Sequence, residues 1–198
     1  MELRIPTLEQ LRDIYNHDMK EAFPAAELKP LAAIEKMWAE GWYKPYCLYD
    51  DSSTAPIGTA FLWLGHSGWA LLDYLCVSAD WRNDGLGGKI LRLLAEAEPG
   101  TVIFGEAEVP ADAPDPAMAE RRLGFYRRNG LQMADYETEV FGVHYKTLYL
   151  ADRKVDDEML MREHEFVYRN SFTAEKYAKY IRIPYDPEHS CAQVPWDQ

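Results

Sequence analysis

Apolar positions recur along this chain at two periods, and the switch between them marks its elements. Near the start the period is helical. Thr7 stands where it caps a helix whose stripe is Leu8, Leu11, Ile14 and Tyr15. Leu31 to Trp42 repeats the pattern with Leu31, Ile34, Met37 and Trp38. Strands follow. Tyr43 to Tyr49 is aromatic-rich and runs into the turn residues Asp50-Asp51-Ser52-Ser53, and Pro56 to Leu64 reads as its hairpin partner. After a turn over Gly65 to Gly68, Trp69 to Val77 is nearly all apolar, as expected of a central strand buried on both faces. A helix is predicted over Leu86 to Ala97, with Leu86, Ile90, Leu93, Leu94 and Ala97 inward and Pro99-Gly100 ending it. Then come a strand from Thr101 to Val109, a loop from Pro110 to Pro116 and a helix from Ala117 to Asn129. Gly130 stands where a left-handed cap belongs. Leu131 to Leu150 predicts two strands joined near Gly142. Ala151 to Gln198 predicts a helix around Val155 to Tyr168, a second short helix and an irregular tail. With no internal repeat or low-complexity linker, the order describes a mixed α/β (α+β) sheet in a single domain.

Composition narrows the partners. The 198 residues carry 33 acidic and 21 basic side chains, a net charge of −12. Such a charge repels phosphate backbones, which argues against nucleic acid, and favours cationic small molecules where it lines a pocket. The apolar fraction of 47%, with 13 Tyr, 7 Phe and 6 Trp, suffices for a packed core. Cys47, Cys76 and Cys191 are odd in number and widely spaced, which suits neither a disulfide framework nor a zinc site. His66, His144 and His164 have no metal spacing, so hydrogen-bonded or surface roles are expected and no metal is. Glu2, Arg4, Glu9 and Arg12 break up any signal-like apolar stretch, and no run approaches the roughly 20 apolar residues of a membrane helix. The expectation is a reduced, cytoplasmic protein without a membrane partner. The tail residues Tyr177, Tyr180, Ile181, Tyr185 and Trp196 are too aromatic to be left in water. They are expected to pack on their own domain or on a second copy of the chain, as a homodimer.

Candidate chemistry begins where the buried strand meets a glycine-rich turn, Leu75-Cys76-Val77-Ser78-Ala79-Asp80-Trp81-Arg82-Asn83-Asp84-Gly85-Leu86-Gly87-Gly88-Lys89. Glycines at a helix start let an anion approach the unpaired N–H groups at the positive end of the helix dipole, and Arg82 and Lys89 add charge. The P-loop spacing fails because Ile90 follows Lys89. The dinucleotide fingerprint fails at the same residue, three positions after Gly87.

Arg82-x-x-Gly85-x-Gly87 does match the Arg-x-x-Gly-x-Gly/Ala pattern of acetyltransferases. About one strand and one helix later, Phe125-Tyr126-Arg127-Arg128-Asn129-Gly130-Leu131 resembles the Phe-Tyr-x-x-x-Gly-Phe element of the GCN5-related N-acetyltransferase (GNAT) superfamily, with Leu131 for the final Phe. The resemblance covers Trp69 to about Leu150. It implies a GNAT-like, mostly antiparallel sheet flanked by helices over residues 1–150; residues 151–198, which it does not reach, are expected from their own pattern to form a C-terminal helical extension packed on that domain. It also implies acetyl-coenzyme A as cosubstrate. Leu75, Cys76 and Val77 would pair with the pantetheine arm. Arg82, Asn83, Asp84, Gly85, Leu86, Gly87, Gly88 and Lys89 would hold the pyrophosphate. Tyr126 would protonate the departing thiolate. The chain departs from many relatives at Asp112-Ala113-Pro114-Asp115-Pro116, where they carry an Asn.

The implied reaction is transfer of an acetyl group to a primary amine of a small, cationic molecule by direct attack in a ternary complex. Phenol and thiol reference pKa values of about 10 and about 8.5 allow Tyr126 to share a proton with sulfur; its alternative is an aromatic packed under the sheet. Glu106 and Glu108, two apart on one sheet face, are candidate bases, and their proximity is expected to raise both pKa values if they are buried. Pairing of one with Arg121 or Arg122 is the alternative. Asp73 is a candidate for binding the cationic acceptor. A non-catalytic acyl-coenzyme A-binding sensor or interaction module of the same fold is the competing function.

Overall fold

The computed structural model describes residues 1–25, 27–51 and 55–193. Eight strands hydrogen-bond in the order β1-β2-β3-β4-β5-β7-β6-β8, mostly antiparallel. They belong to two compact units, one of residues 1–64 and 72–99, the other of residues 65–71 and 100–193.

In the first unit, β1 (Glu2–Arg4) pairs antiparallel with β2 (Tyr43–Tyr49), and β2 pairs with β3 (Pro56–Leu64). Most of β4 (Trp69–Val77) follows. Helix α1 (Leu8–Ile14) starts at a capping box: Gln10 N–H donates to the Thr7 hydroxyl, and the Gln10 side chain accepts from Thr7 N–H. It continues through a wide turn over Tyr15–Met19 into α2 (Lys20–Ala22). Helix α3 (Leu31–Ala39) ends three residues earlier than its apolar stripe suggests, and α4 (Leu86–Ala97) follows the strands. Trp63, Tyr43, Phe61, Leu11, Met19, Ile34 and Ile90 form the core. Each such burial contributes roughly 1.5–3 kcal/mol. Along α4 the inner face is Leu86, Gly88, Ile90, Leu91 and Leu94; Ala97, expected inside, is exposed.

In the second unit the first residues of β4 pair in parallel with β5 (Val102–Glu108), Trp69 opposite Val102 through Leu71 opposite Phe104. Helix α5 (Pro116–Arg128) leads to β6 (Gln132–Val140) and β7 (Val143–Leu150). β7 inserts between β5 and β6 and is antiparallel to both. Gly130 closes α5 at φ +88°, as its position predicts. Helices α6 (Asp157–Ser171) and α7 (Ala174–Tyr180) and the two-residue β8 (Ile181–Arg182) complete the unit, with α6 against β6 and β8 paired to the edge of β6. Tyr177, Tyr180 and Ile181 are buried within this unit; Trp196 lies outside the described residues. Among the described residues no helix is long and apolar enough to cross a membrane.

Candidate active site

The turn after β4 is built to leave donors open. Ala79–Trp81 forms one 3-10 turn, and Asn83 (φ 74°) and Gly85 (φ 73°) take left-handed conformations. Gly85 is the N-cap of α4 and offers no side chain to its first turn. By contrast, α1, α5, α6 and α7 are each capped by a side chain, from Thr7, Asp115, Asp156 and Thr173. The first N–H groups of α4 are therefore left for an anion. Arg82 reaches back to donate from Nε to the Val77 carbonyl at 3.2 Å, and its guanidinium contacts Glu21 at 3.1 Å. The turn is held close to the sheet. A Cβ on Gly58 of β3 would stand 3.0 Å from Ile90 Cδ1 and 3.1 Å from the Cys76 carbonyl, which leaves room for glycine there. On β4, Tyr74 and Cys76 point into the core, while Leu75 and Val77 are half-buried on the other face. These features fit a pyrophosphate and its pantetheine arm.

Asp73 does not stand free. Lys29 Nζ lies 2.6 and 2.7 Å from its two carboxylate oxygens, and the Tyr43 hydroxyl donates to it as well. Lys29 is buried and the Asp73 side chain nearly so, and the Lys29 ammonium also lies over the Trp63 ring at 4.4 Å. The chain's own lysine thus occupies the place expected for a cationic acceptor, and Asp73 has its charge already compensated.

The two glutamates of β5 have diverged. Glu106 accepts from the Thr138 hydroxyl at 2.9 Å and the Tyr168 hydroxyl at 2.7 Å, and His164 Nε2 lies 3.2 Å away. His164 is completely buried, with Nδ1 against the Tyr136 hydroxyl at 3.2 Å. Burial pushes the Glu106 carboxyl up, but the His164 ring and the Tyr168 and Thr138 hydroxyls outweigh it and hold the pKa below the usual range. The expected mutual rise of two neighbouring carboxylates is therefore absent at Glu106, because α6 supplies stronger partners. A depressed folded-state pKa stabilises the fold above the unfolded carboxyl pKa of about 4.3 and loses that contribution as pH falls through the folded value. Glu106→Gln is expected to flatten the acid limb of stability between about pH 5 and the folded-state value, measured by urea midpoints. An unchanged pH dependence would show that Glu106 titrates alike in both states.

Glu108 keeps one oxygen open. Its Oε2 accepts from Arg122 at 2.7 Å, and among the described residues Oε1 has no partner. Arg122 sits on α5 one turn before Tyr126, so the pair faces the same side of the helix. The half-buried Tyr126 hydroxyl has no hydrogen-bond partner among the described residues, although its ring meets Phe125 at 5.2 Å. Burial raises its pKa and the Arg122 charge partly offsets this, so the phenol stays protonated at neutral pH. Arg122 is the site residue that sequence reading gave only a pairing role; its i, i+4 relation to Tyr126 was the available signal. Asp115, in the departing loop, caps α5 through Met118 N–H. The three histidines singled out by sequence are engaged by acids: His164 with Glu106, His66 with Glu163, and His144 with Asp112 and Glu137 on opposite ring nitrogens; among the described residues no group of such side chains could hold an ion.

Residues 8–125 match the Acetyltransferase (GNAT) family, and the chain belongs to that family. It is, by that membership, an acetyl-coenzyme A-dependent N-acetyltransferase. Solved structures repeat the fold. A protein from Bacteroides thetaiotaomicron assigned to the GNAT family has 20% identity and a TM-score of 0.66, over 83% of this chain and 95% of its own. A chimera of the Vibrio cholerae and hSSAT spermidine N-acetyltransferases has 13% identity and a TM-score of 0.58, over 82% and 99%. The Escherichia coli N-acetyltransferase for an alanine of a ribosomal protein has 15% identity and a TM-score of 0.55, over 78% and 96%. At these identities the likeness concerns the fold. No curated protein matches the chain in sequence.

Proposed function

We propose that the protein transfers an acetyl group from acetyl-coenzyme A to a primary amine of a small molecule by direct attack in a ternary complex. The observation that carries this is the uncapped, glycine-rich start of α4 beside Arg82, at the end of a buried strand. In this reading Arg82 to Lys89 hold the pyrophosphate and the backbone of Leu75 to Val77 aligns the pantetheine. The cosubstrate supplies an activated thioester carbonyl. Glu108 Oε1 accepts the proton that the amine loses on attack, and Tyr126 gives its proton to the sulfur as the C–S bond breaks. The products are an N-acetyl amide and free coenzyme A. Glu106, with both oxygens occupied, braces β5 instead of acting as base. A cationic acceptor is favoured by the net charge of −12, and no longer by Asp73. The spermidine and protein-alanine acceptors of the structural neighbours mark two acceptor sizes to test.

Acetyl-coenzyme A at about 100 times its dissociation constant is expected to stabilise the fold by roughly 2.7 kcal/mol, read as a rise in Tm. Gly87→Glu should abolish that rise while the protein folds. Gly87 is helical without positive φ, so a glutamate improves helix propensity and complements the dipole, yet puts a negative charge against the pyrophosphate. An unchanged Tm for the parent, or full binding by the variant, would place the cosubstrate elsewhere. Release of free thiol against a panel of amines then tests the acceptor: turnover on no small amine, with turnover on a protein N-terminus, would overturn the small-molecule reading.

A further inference from the structure

The C-terminal part of the second unit contains a groove of about 740 Å³ that the reaction above does not use. One wall is α7, through Tyr177 and Ala178; the other is β8 and the segment after it, through Ile183 and Pro184; Arg169 and Arg182 supply the charge. The volume is that of a small-molecule site, roughly 300–1,000 Å³.

Arg182 is the unusual member. Its Nε donates to the His189 carbonyl at 3.0 Å, and Nη1 donates to the carbonyls of Ala178 at 2.5 Å and Ile181 at 2.9 Å. Three main-chain contacts fix the guanidinium but bring no counter-charge. Among the described residues no carboxylate pairs with Arg182, and its Nη2 makes no hydrogen bond, in a chain with 33 acids for 21 bases. The three carbonyls replace part of the hydration of this half-buried guanidinium, and the Asp186 carboxylate of the same groove acts on it through space; its Nη2 edge is left for a further acceptor. Asp186, which also lines the groove, accepts instead from Glu188 N–H at 2.9 Å and pairs with His189 at 2.8 Å. Arg169 stacks on Tyr177 at 4.0 Å and approaches Glu165 only at 3.6 Å. The Tyr177 hydroxyl is buried and has no hydrogen-bond partner among the described residues, a second unmet polar group on a residue of the groove.

We propose that this groove binds a small monocarboxylate with an apolar body. The carboxylate accepts from Arg182 Nη2, with Arg169 adding charge, and the apolar part covers Tyr177, Ala178, Ile183 and Pro184. A monoanion fits better than a phosphate, because Asp186 and Glu165 stand close enough to repel a second negative charge. The site is independent of the acetyl-transfer reading.

The test is calorimetric titration of the full chain with benzoate and octanoate, and with neutral benzamide as control. Saturable one-to-one binding of a carboxylate is expected, weakened about 10- to 100-fold by Arg182→Met, as loss of a charge-assisted hydrogen bond predicts. Benzamide should not bind. If Arg182→Met fails to fold, Ala178→Trp, an exposed position on α7, fills the groove and should abolish binding. The proposal is overturned if neither carboxylate saturates by roughly 10 mM, a concentration beyond millimolar affinity. It also fails if benzamide binds as well as benzoate, or if a folded Arg182→Met or Ala178→Trp variant keeps parental affinity. Loss of binding in Gly87→Glu would instead place the carboxylate at the α4 turn, which also overturns it.

Discussion

Tyr126→Phe is expected to lower kcat by about 10²- to 10⁴-fold, the range for loss of a general acid, with little change in affinity for acetyl-coenzyme A. The ring keeps its place beside Phe125, and the lost hydroxyl has no partner among the described residues, so none of them is left with an orphaned donor or acceptor. The effect belongs to the transition state alone, where charge develops on sulfur, and so appears in kcat and kcat/KM together. Glu108→Gln removes the proposed proton acceptor while keeping the shape and the contact region of Arg122. It should reduce turnover at neutral pH and leave the rate climbing with pH, as the amine itself comes to be deprotonated. Glu106→Gln is the control on the same sheet face. A Tyr126→Phe enzyme with parental kcat on an identified acceptor would make the tyrosine structural. If both glutamine variants keep the parental pH profile, water or the free amine equilibrium supplies the neutral nucleophile.

The second large effect concerns the fold. Asp73→Leu should destabilise the protein by about 3–5 kcal/mol, because it leaves a buried ammonium without its counter-charge. Lys29 and Asp73 side chains are only 5% and 9% exposed, so solvent screening does little to soften the loss. For a chain of this size the Tm should fall by roughly 6–20 °C. Lys29→Met together with Asp73→Leu should restore more than half of it, since an apolar pair of similar volume often replaces a buried ion pair without penalty. Urea denaturation with an unchanged slope is the measurement. Parental stability in the single Asp73→Leu variant would overturn the view that the Lys29 ammonium depends on Asp73.

These effects show what the chain order reveals and what it hides. The strands Tyr43–Tyr49, Pro56–Leu64 and Trp69–Val77 and the helix Leu86–Ala97 lie where their apolar runs and turn residues place them. Each is long, strongly patterned and punctuated by Gly, Pro or Asp. β1 and β8 escaped because a two- or three-residue edge strand has no period to read; Glu2 and Arg4 look like surface charge and are exposed. The geometry of the α4 turn was legible because it is local: strand, glycines and arginine are consecutive. Asp73 and Glu106 were not, because their partners are remote. Lys29 stands 44 residues from Asp73, and Tyr168 stands 62 from Glu106. Two carboxylates with no visible partner read as open to substrate until the sheet brings a lysine to one and α6 to the other.

The three cysteines offer a practical handle on this chain. Cys47, Cys76 and Cys191 are all buried, and burial pushes each thiol up to about 12. Thiolate, the reactive form, is then scarce at assay pH. Colorimetric thiol reagents should therefore report liberated coenzyme A against a near-zero protein blank. The same reagents become clocks for opening, since labelling must wait for exposure. Two of the thiols lie in the first unit and one in the second. Mass-resolved labelling, peptide by peptide, would time the breathing of each unit separately without any engineered probe.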